Sequence, residues 1–279
     1  MNAKLKFNPK HPFDFSLTTR FKAAHVLEYL QPSSEDKILD IGCGLGFFLN
    51  TLARSGVRGF GMDFSQKSLT LAKGMTAGLF AQGDAQVLPY RDNSFDKIIF
   101  TDVIEHVIDD RAALQEIVRI SKPGAMIALV TPGIRGRLAN TSWRTLYHDE
   151  EGTPEYDERP GYTPEELTER MKAAGICVRG NRQTLIFLGE FFLQLTKWVL
   201  AKKKVHYQTQ GDILSITEKP LFRFYSRCVF PLFWTIGRLE EWVLANRLDG
   251  HSLIMLGVVE KEGTGKALEK AICAELGLA

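Results

Sequence analysis

At 279 residues, with 44% hydrophobic and 24% charged side chains, the chain can bury one large core or two small ones and is neither disordered nor fibrous. A formal charge of +2 is too near neutrality for a nucleic-acid binder, whose basic surplus is larger and gathered on one face. The four cysteines, Cys43, Cys177, Cys228 and Cys273, lie far apart, with no Cys-x-x-Cys pair and no histidine at metal-ligand spacing; this speaks against a metal site and suits a reduced, cytoplasmic chain.

In chain order, Met1–Phe15 carries lysines with no apolar run behind them, so neither a secretory signal nor a membrane anchor is expected there. A helix near Leu17–Leu30, closed by Pro32, leads into short apolar runs that alternate with amphipathic segments, the rhythm of an α/β sheet. Strands are expected at Lys37–Ile41, Gly59–Met62, Leu79–Gln82, Phe95–Thr101 and Ala125–Thr131, and their apolar character predicts burial on both faces of a parallel sheet. Helices fall near Phe47–Ser55, Gln66–Gly74 and Arg111–Ile120. Thr163-Pro164-Glu165-Glu166 marks a further helix start, with Thr as N-cap, Pro at the first helical position and acids at the positive end of the dipole; Gly175 ends it. A sixth strand is expected at Ile176–Leu188, a seventh at Ser252–Glu260, and a frayed helix in the Glu262–Ala279 tail. The chain thus divides into an N-terminal helical segment (1–34), an α/β domain (35–188 with 251–262), an aromatic-rich helical insertion (189–250) and a tail (263–279).

The clearest motif closes the first strand. Asp40-Ile41-Gly42-Cys43-Gly44-Leu45-Gly46 lets the chain turn sharply and removes the Cβ atoms that would keep a ligand from the backbone. Small ligands of α/β sheets bind at such strand ends. A nicotinamide dinucleotide site is the sharper rival, but its Gly-x-Gly-x-x-Gly pattern places the third glycine one residue later, where Phe47 stands. A strand-to-helix turn with no ligand is the plainer alternative.

Ile38–Gly46 resembles motif I of the class I S-adenosylmethionine-dependent methyltransferases, and the resemblance continues through Gly61-Met62-Asp63-Phe64-Ser65, Gly83-Asp84-Ala85 with Leu88-Pro89-Tyr90, Thr101–Val107 and Lys122-Pro123-Gly124-Ala125. Over residues 35–135 the order and spacing are those of the ubiquinone and menaquinone biosynthesis kind, methyltransferase type 11. The resemblance implies a Rossmann-like fold: a seven-stranded, mostly parallel sheet with an antiparallel last strand, and here a helical insertion between strands six and seven. It implies S-adenosyl-L-methionine as cofactor and S-adenosyl-L-homocysteine as product. Asp40 would brace the turn formed by Gly42, Cys43, Gly44 and Gly46 and reach the amino end of the methionine moiety. Asp63 would hold both ribose hydroxyls, since a carboxylate can accept two hydrogen bonds from a diol. Phe64 would lie near the adenine face, Asp84 and Ala85 near the adenine amino group, and Thr101 and Asp102 at the end of the fourth strand. Taken singly, Asp63 and Asp84 also suit caps or turns.

A sulfonium methyl is already electrophilic, so the protein has chiefly to align an acceptor and exclude water. Neither a metal nor a covalent nucleophile is required. If the acceptor is a hydroxyl, His106 is the best-placed general base; its alternative role is to shape the pocket. Arg135, Arg137, Arg144, Tyr147 and His148 stand in the long segment after the fifth strand, where loops carry substrate contacts, and they equally suit a solvated surface.

The insertion opens with Leu185–Leu200, a nearly all-apolar helical pattern with Glu190, Gln194 and Lys197 on one stripe. Lys202-Lys203-Lys204 follows, and Leu221–Leu248 then interleaves aromatic residues with Arg223, Arg227 and Arg238. Charges and Pro231 exclude a bilayer span. Three readings stay open: a cap on the α/β core, a homodimer interface, or a peripheral membrane surface at the inner face of the membrane. A greasy cap fits a small lipophilic acceptor such as a quinone, isoprenoid, polyketide or lipid, methylated on oxygen. The rival functions are an NAD(P)-dependent oxidoreductase and a catalytically inactive scaffold that binds S-adenosylmethionine.

Overall fold

The computed structural model describes residues 16–134, 161–184, 191, 225–244, 250 and 252–261. Its elements are α1 (Leu17–Leu30), β1 (Ile38–Ile41), α2 (Phe47–Arg54), β2 (Gly59–Asp63), α3 (Gln66–Met75), β3 (Leu79–Gln82), β4 (Phe95–Thr101), α4 (Asp110–Ile120), β5 (Ser121–Pro132), α5 (Pro164–Ala173), β6 (Ile176–Thr184), α6 (Phe230–Leu244) and β7 (Ser252–Val259). Local chemistry sets the helix starts: Ser16, Ser65, Asp109 and Thr163 each accept a first-turn N–H with their side-chain oxygen.

The strands form one seven-stranded sheet in the order β3-β2-β1-β4-β5-β7-β6. β1 through β5 pair in parallel, and β7 runs antiparallel between β5 and β6. Strand order therefore reverses between β1 and β4, which opens a crevice beyond their carboxyl ends, where ligands of open α/β sheets bind. Two clusters fill the faces of the sheet. One packs Leu39, Ile41, Phe100, Ile127 and Met255 against α4 and α5; the other packs Ile38, Ile99, Ala128 and Ile254 against α1 and α2.

Two expectations are corrected. Burial on both faces holds for β1 but not for β3, the edge strand, whose Leu79 is exposed. An edge strand has a neighbour on one side only, so its side chains lack the cover that central strands receive. β5 begins at Ser121 rather than Ala125, because Ser121 already pairs with Phe95. The next pair is Met126 with Lys97, so the Lys122-Pro123-Gly124 turn bulges within the strand, with Gly124 at φ +78.

Part of the insertion lies against the N-terminal helix. Phe230 and Trp234 of α6 close over Leu17 and Phe21 of α1, with the Phe21 and Trp234 ring centroids 4.7 Å apart. Gly237 allows the approach, since a Cβ there would collide with the Phe21 ring. Beside them buried Glu241 accepts from His25 Nε2 at 3.1 Å, from Arg238 Nη1 at 3.0 Å and from Thr184 Oγ1. The opposite side of α6 leaves Leu232, Leu239, Trp242 and Val243 exposed, Trp242 to 83%. Among the described residues, no helix is long and apolar enough to cross a membrane. The helix expected over Leu185–Leu200 falls outside the described residues apart from Phe191, as do Lys202–Lys204 and the Glu262–Ala279 tail.

Candidate active site

The turn after β1 carries Gly42, Gly44 and Gly46 at φ +73, +51 and +76, the left-handed region where a Cβ is penalised. Two of them are constrained by neighbours as well. A Cβ on Gly42 would land on Val103 Cγ2, and one on Gly46 would stand 2.8 Å from Thr76 Cγ2. Gly42 and Cys43 both donate N–H to the Met62 carbonyl, which ties the turn to β2. Gly46 begins α2 with no side-chain cap hydrogen bond, and it places the start of that helix directly after the glycine turn. Cys43 is buried, and burial raises its thiol far above the ordinary range, with Asp40 and Asp63 adding to the shift. Its thiolate is not accessible at neutral pH.

Asp40 is 2% exposed, and its Oδ2 has no hydrogen-bond partner among the described residues. Burial, with a smaller contribution from Asp63, raises its carboxyl well above the ordinary carboxylate range. An orphaned buried acceptor costs about 1–3 kcal/mol, and a cationic donor placed against it recovers that cost. This is the chemistry of the ammonium of a methionine moiety. Asp63, at the end of β2, accepts from Gly44 N at 2.7 Å and from Ser65 N at 2.8 Å, one bond to each oxygen. Asp63 thus braces the turn through the Gly44 N–H, and each of its oxygens retains a lone pair for a diol. Phe64 follows on the rim, 71% exposed. Asp84 turns its own loop by accepting from Gln86 N at 2.8 Å, while the Ala85 methyl is buried in the core, so what Ala85 can offer a ligand is its backbone.

From the other side of the crevice, β4 ends in Thr101, whose buried Oγ1 also has no partner among the described residues. Asp102 accepts from Lys22 Nζ through both carboxylate oxygens at 2.7 Å. The sequence carries no sign of this pairing, because Lys22 lies on α1, outside every motif. Glu105 is a second residue the sequence reading passed over. It is buried, accepts from Thr131 Oγ1 at 3.1 Å, and its carboxyl is pushed up to about 8 by burial first and by Asp102 second. The only cue in sequence was its place beside His106. His106 itself ends the short turn Ile104–His106 with an exposed side chain. Arg135, Arg137, Arg144, Tyr147 and His148 lie outside the described residues. Among the described residues, no three His, Cys, Asp or Glu side chains gather as a metal site.

A sheet of this order with an antiparallel β7, a glycine turn after β1 and a carboxylate at the end of β2 has the class I, Rossmann-like fold of S-adenosylmethionine-dependent methyltransferases. Residues 39–129 match the family model described as a methyltransferase domain, of the type 11 kind. A demethylmenaquinone methyltransferase from Staphylococcus epidermidis is 36% identical over 110 residues, 37% of this chain and 46% of the relative. A ubiquinone biosynthesis O-methyltransferase from Sinorhizobium medicae is 27% identical over 217 residues, 71% of this chain and 83% of the relative. The chain spans less than half the length of the relatives it matches at 36% identity. Among solved structures, a Haemonchus contortus phosphoethanolamine N-methyltransferase in complex with S-adenosyl-L-methionine superposes with a TM-score of 0.57 at 19% identity, covering 87% of this chain and 53% of that one. That likeness is one of fold.

Proposed function

We propose that the chain is an S-adenosylmethionine-dependent methyltransferase that methylates a small lipophilic acceptor, a quinone, isoprenoid, polyketide or lipid, on oxygen. The observation that carries the reading is the unpartnered, buried Oδ2 of Asp40 beside a glycine turn at the sheet's switch point. S-adenosylmethionine, when bound, supplies a methyl group made electrophilic by its sulfonium. The chain's own residues bind, orient and deprotonate. Asp40 accepts from the ammonium of the methionine moiety, the uncapped start of α2 meets its carboxylate, and Asp63 accepts from the ribose diol. Phe64, Asp84 and the Ala85 backbone border the adenine, and Thr101 and Asp102 close the crevice from β4. His106 takes the proton of an acceptor hydroxyl at an imidazole nitrogen, and Arg144, Tyr147 and His148 are the candidates for acceptor contacts that the sequence offers.

The same reading makes 189–250 a cap over the acceptor side, with the 35–188 and 251–262 segments as the catalytic domain, in a cytoplasmic protein. The exposed apolar stripe of α6 and the lysines at 202–204 suit peripheral contact with anionic headgroups on the inner face of a membrane, from which a lipophilic acceptor is drawn. Ligand-dependent melting tests the cofactor. S-adenosylhomocysteine is expected to raise the melting temperature of the wild-type chain, and Asp40→Asn is expected to weaken that ligand by about 10- to 100-fold, the loss of a charge-assisted hydrogen bond. Stabilisation by a nicotinamide nucleotide and none by S-adenosylhomocysteine would sink the reading.

A further inference from the structure

Asp102, the first residue beyond β4, has φ +54, a left-handed conformation that a side-chain-bearing residue adopts at a cost of roughly 1–2 kcal/mol unless something holds it. Two contacts hold it. Its N–H donates to the Val130 carbonyl at 2.8 Å, and its carboxylate takes two bonds from Lys22 Nζ at 2.7 Å. Lys22 comes from α1, 80 positions upstream, with its side chain 10% exposed against 40% for that of Asp102, so the lysine end of the pair is buried while the carboxylate end is partly screened by solvent. The conformation has a consequence one residue further on. Val103 is turned back over the glycine turn, and its Cγ2 occupies the position a Cβ on Gly42 would take. Gly42 is held from the other side by the Met62 carbonyl at 2.7 Å. A continuous line of contact therefore runs from α1 to the backbone that receives the ligand.

We propose that Lys22 is a positioning residue for the cofactor site: its ion pair holds Asp102 in the left-handed conformation that seats Val103 on Gly42, and so sets the opening of the glycine turn. The inference rests on the cofactor reading given above. It goes beyond a simple staple between α1 and the sheet, because a staple acts on stability alone, whereas a positioning contact changes affinity in protein that is already folded. The same helix bears Phe21 and His25 against α6, so the helix that carries Lys22 is itself seated by the insertion. Glu105 stands close enough for its carboxyl to feel both Asp102 and Lys22, which makes Lys22 the cation shared by two acids at this strand end.

Calorimetric titration of S-adenosylhomocysteine into wild type, Lys22→Met, Lys22→Arg, Asp102→Asn and the Lys22→Met/Asp102→Asn double variant tests the proposal, each protein being shown folded by circular dichroism at the titration temperature. Lys22→Met is expected to bind about tenfold more weakly or worse, and Lys22→Arg to return within about threefold of wild type, since a guanidinium can make the same paired bonds to a carboxylate. The double variant is expected to bind no more weakly than the worse single one, because both changes break one contact. Wild-type affinity in folded Lys22→Met, whatever its melting temperature, overturns the proposal and leaves the cofactor reading standing. Absence of any binding by wild type overturns both. If Lys22→Met does not fold, Lys22→Gln, polar and of similar reach, carries the same comparison with the same two outcomes.

Discussion

The cofactor side of the sheet, β1 to β4, and the α1–α6 side are held by contacts of different range. Around the glycine turn the decisive bonds join neighbouring strand ends: Gly44 to Asp63, Gly42 to Met62, Ser65 to Asp63. Around α1 and α6 they join distant segments: Lys22 to Asp102 across 80 positions, His25 to Glu241 across 216. Short-range contacts impose residue types at set spacings and so leave motifs. Long-range contacts need only one suitable side chain at each end, and they leave none. The difference separates a side built from residue types at set spacings from a side assembled by single contacts between distant segments.

Substitution at the turn breaks the first side most severely. Gly42→Ala places a methyl group on Val103 Cγ2 in a left-handed residue, and the strain and overpacking together, about 2–5 kcal/mol, are expected to abolish measurable S-adenosylhomocysteine binding in titration while the far sheet stays folded. Binding at wild-type strength would mean that Val103 and the turn separate freely.

A medium effect, confined in pH, is expected at Glu105. Its folded-state carboxyl is raised to about 8 from an ordinary 4.5, so the folded state holds a proton that the unfolded chain has released over that interval. The stability associated with the protonated, buried carboxyl is fully present below the unfolded value and is lost as pH rises toward the folded one, at up to about 1.4 kcal/mol per pH unit. Glu105→Gln removes the titration. The variant is expected to gain melting temperature relative to wild type as pH rises from 5 to 8, and parallel melting curves across that range would exclude a raised Glu105.

The smallest effect on the folded protein is expected on the outer stripe of α6. Trp242→Ser, on an 83% exposed side chain, is expected to change stability by less than about 0.5 kcal/mol and to leave S-adenosylhomocysteine binding intact. Its expected phenotype is reduced flotation with anionic liposomes at low salt, where wild type rises. Wild type remaining wholly at the bottom would remove the membrane from the account of this side and leave a cap or a homodimer interface as its reading.

The sequence by itself determined the α/β order, the ends of most strands and helices and the glycine turn with its carboxylate companions, because period, caps and turn residues are local requirements. Leu17–Leu30, Leu79–Gln82 and Phe95–Thr101 match the observed bounds for that reason. It placed Asp40 in β1 and Asp63 at the end of β2, but which carboxylate meets the Gly44 N–H depends on how β1 and β2 pair. Tertiary structure alone decided that β3 is an exposed edge, that α6 rests on α1, that Lys22 reaches Asp102, and that Glu105 is buried deeply enough to hold a proton near neutral pH. Each of these depends on which distant segments meet in space, and a single sequence leaves no periodic trace of such meetings.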